Sequence, residues 1–292
     1  MAHPWRLVYA ETVLSARTRR RIQHELQRLA APVRLAPSAL RRWRELSQMR
    51  RLLERPIIIG GCGRSGTSLL VACLSCHPRL CGLEQETCAF CPDAYAEDPD
   101  LSLGFHWHRL WDRMLKQPIP PAATRLCEKT PKNVVNFPRI LDHYGDDVRI
   151  LHVVRDGRDV VLSRHPLDPT KPWVAPERWV GDVRDGLRVD ADQRVLRVKY
   201  EDLVGSYLPT MHRICEHIDE AYVSDFERFP ESARVQTHLA WEGKAKAMMS
   251  SSVGKWRRAT GDELCSVEAL MSTPGARELL AELGYLDTES TP

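Results

Sequence analysis

The stretch Ile57–Leu70, "IIIGGCGRSGTSLL", has the residue types and spacing of a phosphate-binding loop. An apolar run typical of a buried strand leads into glycines, and an apolar helical pattern follows them. Backbone N–H groups at the start of such a helix favour anions. Gly61–Ser68 reads G-x-x-x-x-G-T-S, so Thr67 stands where nucleoside triphosphatases carry a lysine. The pattern therefore predicts an anion site whose cation comes from another residue.

Two arginines are the candidates for that charge. Arg64 lies inside the loop itself, and Arg155 ends the apolar run "VRILHVV", where a metal-binding acid is expected in a triphosphatase. Asp156 follows it, which leaves a metal-dependent alternative open. Arginine and backbone N–H groups bind anions without a metal, so the sequence favours a site of that kind.

Five segments in a fixed order resemble the motifs of sulfotransferases that use 3′-phosphoadenosine-5′-phosphosulfate (PAPS). They are "GCGRSGTSLL", "EKTPKN", "VVRDGRDVVLSRH", "VKYEDL" and "SSVGKWRRA", and they span about residues 56–260. The motifs are most similar to those of tyrosylprotein sulfotransferases and related bacterial enzymes. The resemblance implies an α/β fold of the P-loop type, with a parallel sheet flanked by helices on both faces. It also implies PAPS as donor, adenosine 3′,5′-bisphosphate (PAP) as product, and no required metal.

The resemblance assigns the donor site residue by residue. The 5′-phosphate would be held by the loop residues Gly63, Arg64, Ser65, Gly66, Thr67 and Ser68. Arg155 and Ser163, eight residues apart, match the pair that holds the 3′-phosphate in that family. Ser252, Lys255 and Arg257 match the C-terminal segment that closes over the nucleotide.

The same resemblance supplies candidate catalytic groups. Lys129 in "EKTP" would stabilise the leaving group together with Arg64, whereas outside the motif an ion pair between Lys129 and Glu128 is the ordinary interpretation. A hydroxyl acceptor also needs a base. The segment "CGLEQET" resembles the one that carries the base, and it supplies Glu86 or Glu84 depending on how it is aligned.

The cysteines allow two further structures. Cys81 and Cys127 resemble a disulfide pair of the tyrosylprotein enzymes. Two C-x-x-C pairs, at 73/76 and 88/91, have spacing that zinc ligands use, although core packing is the commoner role on a helix.

The remaining chain must position these groups. Strands that alternate with helices predict a parallel sheet covered by helices. The strands are expected in "RPIIIGG", "VRILHVV" and "QRVLRVKYEDL", and a helix is expected over 178–190. "HPLDPTKPWVAPERW" is predicted to be a long exposed loop because it is rich in proline. Trp107, Leu110, Trp111 and Met114 recur at helical spacing and predict core packing.

Residues 1–55 are predicted to form an Arg-rich helical extension before a sulfotransferase domain at 56–292. They contain 13 arginines and four glutamates, a charge of +9 in a chain whose total is +3. Two amphipathic helices are expected, "SARTRRRIQHELQRLA" and "SALRRWRELSQMRRLLER", the second packing through Leu46, Met49 and Leu53. Their arginines are expected to be solvated, and contact with an anionic surface is the alternative.

The composition predicts a soluble protein. It is 43% hydrophobic, contains no apolar run of 18 residues, and begins without a secretory signal pattern. Arginine outnumbers lysine by 34 to 8, as in proteins of GC-rich bacteria, so a cytoplasmic bacterial location is expected, with a Golgi-lumenal origin left open. No nucleic-acid partner is expected, and homo-oligomerisation is left open.

Three functions remain on sequence grounds. The favoured one is PAPS-dependent sulfuryl transfer to a hydroxyl of a carbohydrate, a tyrosine or other phenol, or a small metabolite. The alternatives are a P-loop kinase or other nucleoside triphosphatase with a degenerate loop, and a non-catalytic polyanion-binding protein of the same fold.

Overall fold

A central parallel sheet is the frame of the protein. The computed structural model describes residues 37–91, 93, 95–96, 104–165, 168–238, 243–244 and 250–286. The strands in this part of the chain are β1 (Ile57–Gly61), β2 (Leu80–Gly82), β3 (Arg125–Lys129), β4 (Arg149–Val154), β5 (Arg164–His165), β6 (Asp168–Pro172), β7 (Val195–Lys199), β8 (Thr237–His238) and β9 (Gly243–Lys244). Five of them form the sheet in the order β2-β3-β1-β4-β7, and every neighbouring pair is parallel.

Helices cover both faces of this sheet. The α-helices of the described chain are α1 (Pro37–Leu52), α2 (Thr67–Leu74), α3 (Trp107–Lys116), α4 (Phe137–Tyr144), α5 (Gly157–Val161), α6 (Pro176–Leu187), α7 (Tyr200–Gly205), α8 (Tyr207–His217), α9 (Asp262–Ser272) and α10 (Ala276–Glu282). A 3-10 helix, Pro131–Asn136, joins β3 to α4. The predicted α/β fold is confirmed.

The strand order sets the place of the site. From β1 the chain crosses to β2 and β3 on one side, and from β4 it crosses to β7 on the other. The loops that follow β1 and β4 therefore diverge, which opens a crevice at the carboxyl ends of these two strands. Ligands of open parallel sheets bind at such a point. The glycine loop follows β1, and Arg155 follows β4.

The core forms where the apolar runs predict it. Both faces of β1 are covered, since Ile58 packs in one buried cluster and Ile57 and Ile59 pack in another. The four residues of the predicted α3 stripe, Trp107, Leu110, Trp111 and Met114, are all buried.

The described part of the Arg-rich extension, residues 37–55, contains α1 and packs on the core through Met49 in the helix and Leu53 just after it. Leu46 is 36% exposed, so its place in the predicted stripe was wrong. The first predicted helix of the extension lies outside the described residues.

Several local predictions differ from the structure. Part of the proline-rich segment pairs as a hairpin of β5 with β6, and α6 begins at Pro176, where a missing N–H costs no helical bond. A two-stranded ribbon tolerates prolines because each of its strands is an edge. Helix α9 was not predicted.

The cysteine predictions are corrected by the strand register. Cys81 lies opposite Leu126 rather than Cys127, so the two cysteines pack in buried clusters on opposite faces of the sheet, and both are free thiols. The resemblance to a disulfide pair was therefore misleading. The C-x-x-C pairs do not form a joint site either, since Cys73 in α2 and Cys76 just after it are both buried in the core. In the described part of the chain no three potential ligands gather for a metal ion.

No helix among the described residues has both the length and the apolar character needed to span a membrane.

Candidate functional site

The glycine loop is a tight turn in which two positions require glycine. Gly61 has a φ of +146°, and a Cβ there would lie 2.1 Å from the carbonyl oxygen of Val153. Gly66 has a φ of +100°, and its Cβ would lie 2.5 Å from the Tyr200 ring. Glycine alone adopts these angles without strain. The turn brings the start of α2, at Thr67, against the crevice.

The interior of the loop contains an uncompensated donor. The Ser65 side chain is fully buried, and its Oγ has no hydrogen-bond partner among the described residues. A buried hydroxyl without a partner is costly, which indicates a group that a ligand satisfies. Arg64 adopts a left-handed backbone, with a φ of +66°, and its guanidinium lies 4.8 Å from the centre of the Trp173 ring. The loop thus offers a hydroxyl, a guanidinium and helix N–H groups to an anion.

Arg155 is fixed beside this loop. Its Nη1 donates to the carbonyl oxygen of Arg64 at 3.0 Å, and its Nη2 donates to the carbonyl oxygen of Ser252 at 2.5 Å. The guanidinium stacks 4.2 Å from the centre of the Tyr200 ring, and the Tyr200 hydroxyl bonds to Ser252 Oγ at 2.6 Å. The structure therefore brings together residues from four of the five motif segments: the glycine loop, "VVRDGRDVVLSRH", "VKYEDL" and "SSVGKWRRA".

Asp159 anchors that C-terminal segment from α5. Its two carboxylate oxygens accept the backbone N–H groups of Gly254, at 2.7 Å, and Trp256, at 3.0 Å. Arg158 lies 3.6 Å from the centre of the Trp256 ring. Lys255 and Arg257 are exposed on the turn that these contacts hold, so their predicted roles at the nucleotide stay predictions.

Ser163 lies just beyond α5, and its carbonyl oxygen accepts from the Trp173 N–H at 2.8 Å. The side chain is half-buried, and its predicted pairing with Arg155 stays a prediction.

Lys129 forms the second half of the site. It is the last residue of β3 and lies beside Ile59 of β1, just before the glycine loop. The Lys129 side chain is fully buried, and its Nζ donates to Glu86 Oε1 at 2.9 Å. The Glu86 side chain is 31% exposed. A buried cation and a solvent-accessible carboxylate thus meet at the carboxyl ends of the strands, where the glycine loop begins.

Glu128 does not form the ion pair with Lys129 that was the ordinary interpretation of the sequence. Neighbouring residues of a strand point to opposite faces. Glu128 accordingly accepts hydrogen bonds from Thr87 at 2.7 Å, Thr130 at 2.7 Å and Asn133 at 2.6 Å. Burial raises the pKa of the Glu128 carboxyl, and these three donors oppose that shift.

Two adjacent contacts lock the loop after β2 onto β3. Glu86 pairs with Lys129, and its neighbour Thr87 bonds to Glu128. The backbone N–H of Thr87 and that of Cys88 both donate to Thr130 Oγ1 at 3.2 Å. The "EKTPKN" motif therefore holds the Glu86 carboxylate in place as well as supplying Lys129.

Glu84, the alternative base, lies two residues earlier in the same loop. Its backbone N–H donates to the side chain of Gln117 at 3.2 Å. Of the two carboxylates, Glu86 is the one for which the structure records an ion pair with Lys129.

Three aromatic and basic residues of the site were not singled out from sequence. Trp173 packs under Arg64, Tyr95 donates to Glu86 Oε2 at 3.3 Å, and Arg178 lies against the glycine loop. Trp173 and Arg178 are distant in sequence from their partners, and Tyr95 lies nine residues from Glu86. None of the three belongs to a spacing pattern, so the fold brings them to the site.

Asp156, the metal ligand of the kinase alternative, is already engaged. Arg158 binds it through Nε at 2.9 Å and Nη2 at 2.7 Å, and the carboxylate also caps α5 through the Arg158 N–H. A bidentate pair of this kind leaves the carboxylate neutralised. The site geometry thus favours anion binding by arginine over the triphosphatase arrangement.

Comparison with protein families agrees with this geometry. The model described as "Sulfotransferase family" matches residues 56–119 and 91–225. More than half of the chain is matched, so the chain belongs to the sulfotransferase family. It is accordingly an enzyme that transfers sulfuryl groups. A search of curated proteins finds no match.

Three solved sulfotransferase structures are similar to the chain, and the first of them has a TM-score above 0.5. A sulfotransferase domain from the curacin biosynthetic pathway has a TM-score of 0.51 at 16% identity, over 79% of this chain and 98% of that one. Mouse sulfotransferase SULT7A1, complexed with PAP, has a TM-score of 0.48 at 16% identity, over 78% and 89% of the two chains. A sulfotransferase from Alicyclobacillus acidocaldarius has a TM-score of 0.46 at 15% identity, over 76% and 99%.

Proposed function

We propose that the protein transfers the sulfuryl group of PAPS to a hydroxyl acceptor, with Glu86 as the base. The observation that carries the proposal is the 2.9 Å contact between the buried Lys129 ammonium and the accessible Glu86 carboxylate beside a glycine loop. The acceptor class is a carbohydrate, a phenol such as tyrosine, or a small alcohol.

The residues of the donor site fit PAPS in charge and in placement. The orphaned Ser65 hydroxyl, Arg64 and the N–H groups at the start of α2 suit the 5′-phosphosulfate. Arg155, fixed by Arg64 and Ser252, is a guanidinium suited to the 3′-phosphate, the group that distinguishes this donor from ATP.

The bound donor supplies an activated sulfuryl group. Glu86 accepts the proton of the acceptor hydroxyl as its oxygen forms the new bond to sulfur. Lys129 neutralises the negative charge that grows on the oxygen of the leaving 5′-phosphate as the old bond breaks. PAP and the sulfated acceptor leave, and the proton remains with Glu86 until solvent removes it.

Calorimetry with PAP tests the donor half of the proposal. We expect binding without added metal, and a loss of at least tenfold in affinity in Arg155→Ala. The matched control is Arg149→Ala at the amino end of the same strand, roughly 20 Å away at about 3.3 Å per residue. No binding by the unchanged protein, or equal losses in both variants, would refute the donor assignment.

The transfer half is tested with ³⁵S-labelled PAPS and a panel of sugars, phenols and alcohols. We expect labelled product from one acceptor class. Preferential binding of ATP with Mg²⁺ over PAP would instead support the triphosphatase alternative.

A further inference from the structure

Arg178 lies against the glycine loop. It belongs to the first half of α6, and its Nη2 lies 3.3 Å from the position a Cβ on Gly63 would occupy. The residues just before α6 also border the loop, since Trp173 packs under Arg64 and Val174 lies 3.5 Å from the same Gly63 position. The start of α6 thus forms a wall over the loop, and Arg178 places a cation on it.

Arg178 is also linked to the proposed base through Tyr95. Arg178 Cζ is 5.5 Å from the centre of the Tyr95 ring, and the Tyr95 hydroxyl donates to Glu86 Oε2 at 3.3 Å. Arg178 therefore contacts the glycine loop and also approaches, through Tyr95, the neighbourhood of Glu86. In the proposed reaction the sulfuryl group leaves a donor held by that loop and is received by a hydroxyl beside Glu86.

A structural ion pair does not fully account for Arg178. Its partner Asp182 is buried and already bonds Lys132 at 2.7 Å. Arg178 approaches the other oxygen of Asp182 through Nε alone, at 3.4 Å. Burial lowers the pKa of Arg178, but the charge and hydrogen bond of Asp182, together with Cys62 and Tyr95, raise it on balance, so the guanidinium stays charged. One carboxylate shared by two cations leaves a net positive charge at this wall.

We propose that Arg178 is a further catalytic residue, whose guanidinium binds the oxygens of the sulfuryl group during transfer. This inference rests on the proposed function, because it requires a phosphosulfate in the glycine loop. Charge accumulates on the transferred group and the leaving oxygen in the transition state, where a fixed cation stabilises it most. Asp182 is the positioning residue that holds Arg178 in this orientation.

The test compares the binding of PAP, which lacks the sulfuryl group, with the consumption of PAPS, which carries it. PAP lacks the sulfuryl group, so Arg178→Met should bind PAP within about twofold of the unchanged protein in calorimetry. The same variant should convert PAPS to PAP at least tenfold more slowly, whether sulfuryl passes to water or to an acceptor from the panel. Arg178→Lys should restore part of the rate. Arg188→Met, which removes a 64%-exposed arginine at the end of the same helix, is the matched control and should change neither quantity.

Two outcomes would overturn the inference. One is an unchanged rate of PAPS consumption in folded Arg178→Met. The other is a loss of PAP affinity as large as the loss of rate, which would place Arg178 at the nucleotide. Thermal melting of each variant checks folding, and Arg178→Gln replaces Arg178→Met should the latter unfold. If the unchanged protein binds PAP yet consumes no PAPS, the proposed function fails instead, and the Arg178 inference fails with it.

Discussion

Replacing Glu86 with glutamine separates the proposed base from its role in the ion pair. Lys129 is fully buried and lies 2.9 Å from Glu86. At that distance two unit charges attract by about 6 kcal/mol at an effective dielectric constant of about 20. Desolvation of both groups cancels most of this attraction. The substitution keeps the shape and an acceptor oxygen but removes the competing negative charge.

We expect two effects of opposite direction. Transfer should slow by about 10²- to 10⁴-fold, the usual contribution of a general base. PAP should bind more tightly, on the order of tenfold or about 1.4 kcal/mol, because Glu86 then no longer competes with the bound phosphate for the Lys129 charge. A residue that only supports the fold would lower both rate and affinity.

The assays are ³⁵S transfer for the rate and calorimetry for PAP. Glu84→Gln is the matched control, since it changes an acid two residues away in the same loop and should leave both quantities within about twofold. The assignment is wrong if Glu84→Gln loses the rate while Glu86→Gln keeps it. Weaker PAP binding by Glu86→Gln would contradict the competition between Glu86 and the phosphate for Lys129.

Three further substitutions test other parts of the site. Gly66→Ala places a Cβ 2.5 Å from the Tyr200 ring at a φ of +100°, so the affinity for PAP measured by calorimetry should fall at least tenfold. Gly181→Ala is the control, because its Cβ meets no atom within 4 Å, and it should bind PAP normally. Asp159→Ala removes the acceptor of two backbone N–H groups in the C-terminal segment. Trypsin should therefore cleave that segment faster in the variant unless PAP is present. An unchanged cleavage rate would contradict the anchoring role of Asp159. The pKa of Glu128 is raised in the folded state, so the folded protein should lose stability as the pH rises from 4.5, the ordinary carboxyl pKa, to the raised value. Glu128→Gln removes the titrating group and should flatten the pH dependence of the free energy of unfolding measured in urea. An equally steep pH dependence in the variant would refute this assignment.

The local pattern of the sequence was sufficient for the phosphate-binding loop. An apolar strand, two glycines that need special backbone angles and an apolar helix are contiguous, so their arrangement needs no distant partner. The position of Arg155 also followed, because the carboxyl ends of neighbouring parallel strands lie at one edge of the sheet.

The partner of Lys129 was predictable in part. Residues 128 and 129 are neighbours on a strand, and the alternation of side chains argues against their pairing. The sequence offered Glu84 and Glu86 as candidates in a loop, and loops have no periodicity from which to choose. The choice depends on Thr87 reaching Glu128, a contact between residues 41 positions apart.

Contacts made by long side chains across the crevice were beyond prediction. Arg178 is one of many arginines in the sequence, and it differs from them only because α6 begins beside the glycine loop. The hairpin before α6 was missed for a related reason, since proline frequency indicates where a central strand cannot lie but permits pairing at an edge.

The two-point lock between the loop and β3 gives a physical reason for the order of events in the proposed reaction. At rest, Lys129 and Glu86 pair at 2.9 Å, so each group compensates the charge of the other. The donor brings a more highly charged anion to the glycine loop, which attracts Lys129 away from Glu86. The negative charge of Glu86 is then uncompensated only while a donor is bound. Thr87 and Glu128 hold the loop throughout, so Glu86 gains reactivity without losing its position. A base on a free loop would lack this coupling, because nothing would keep it within reach of both Lys129 and the acceptor.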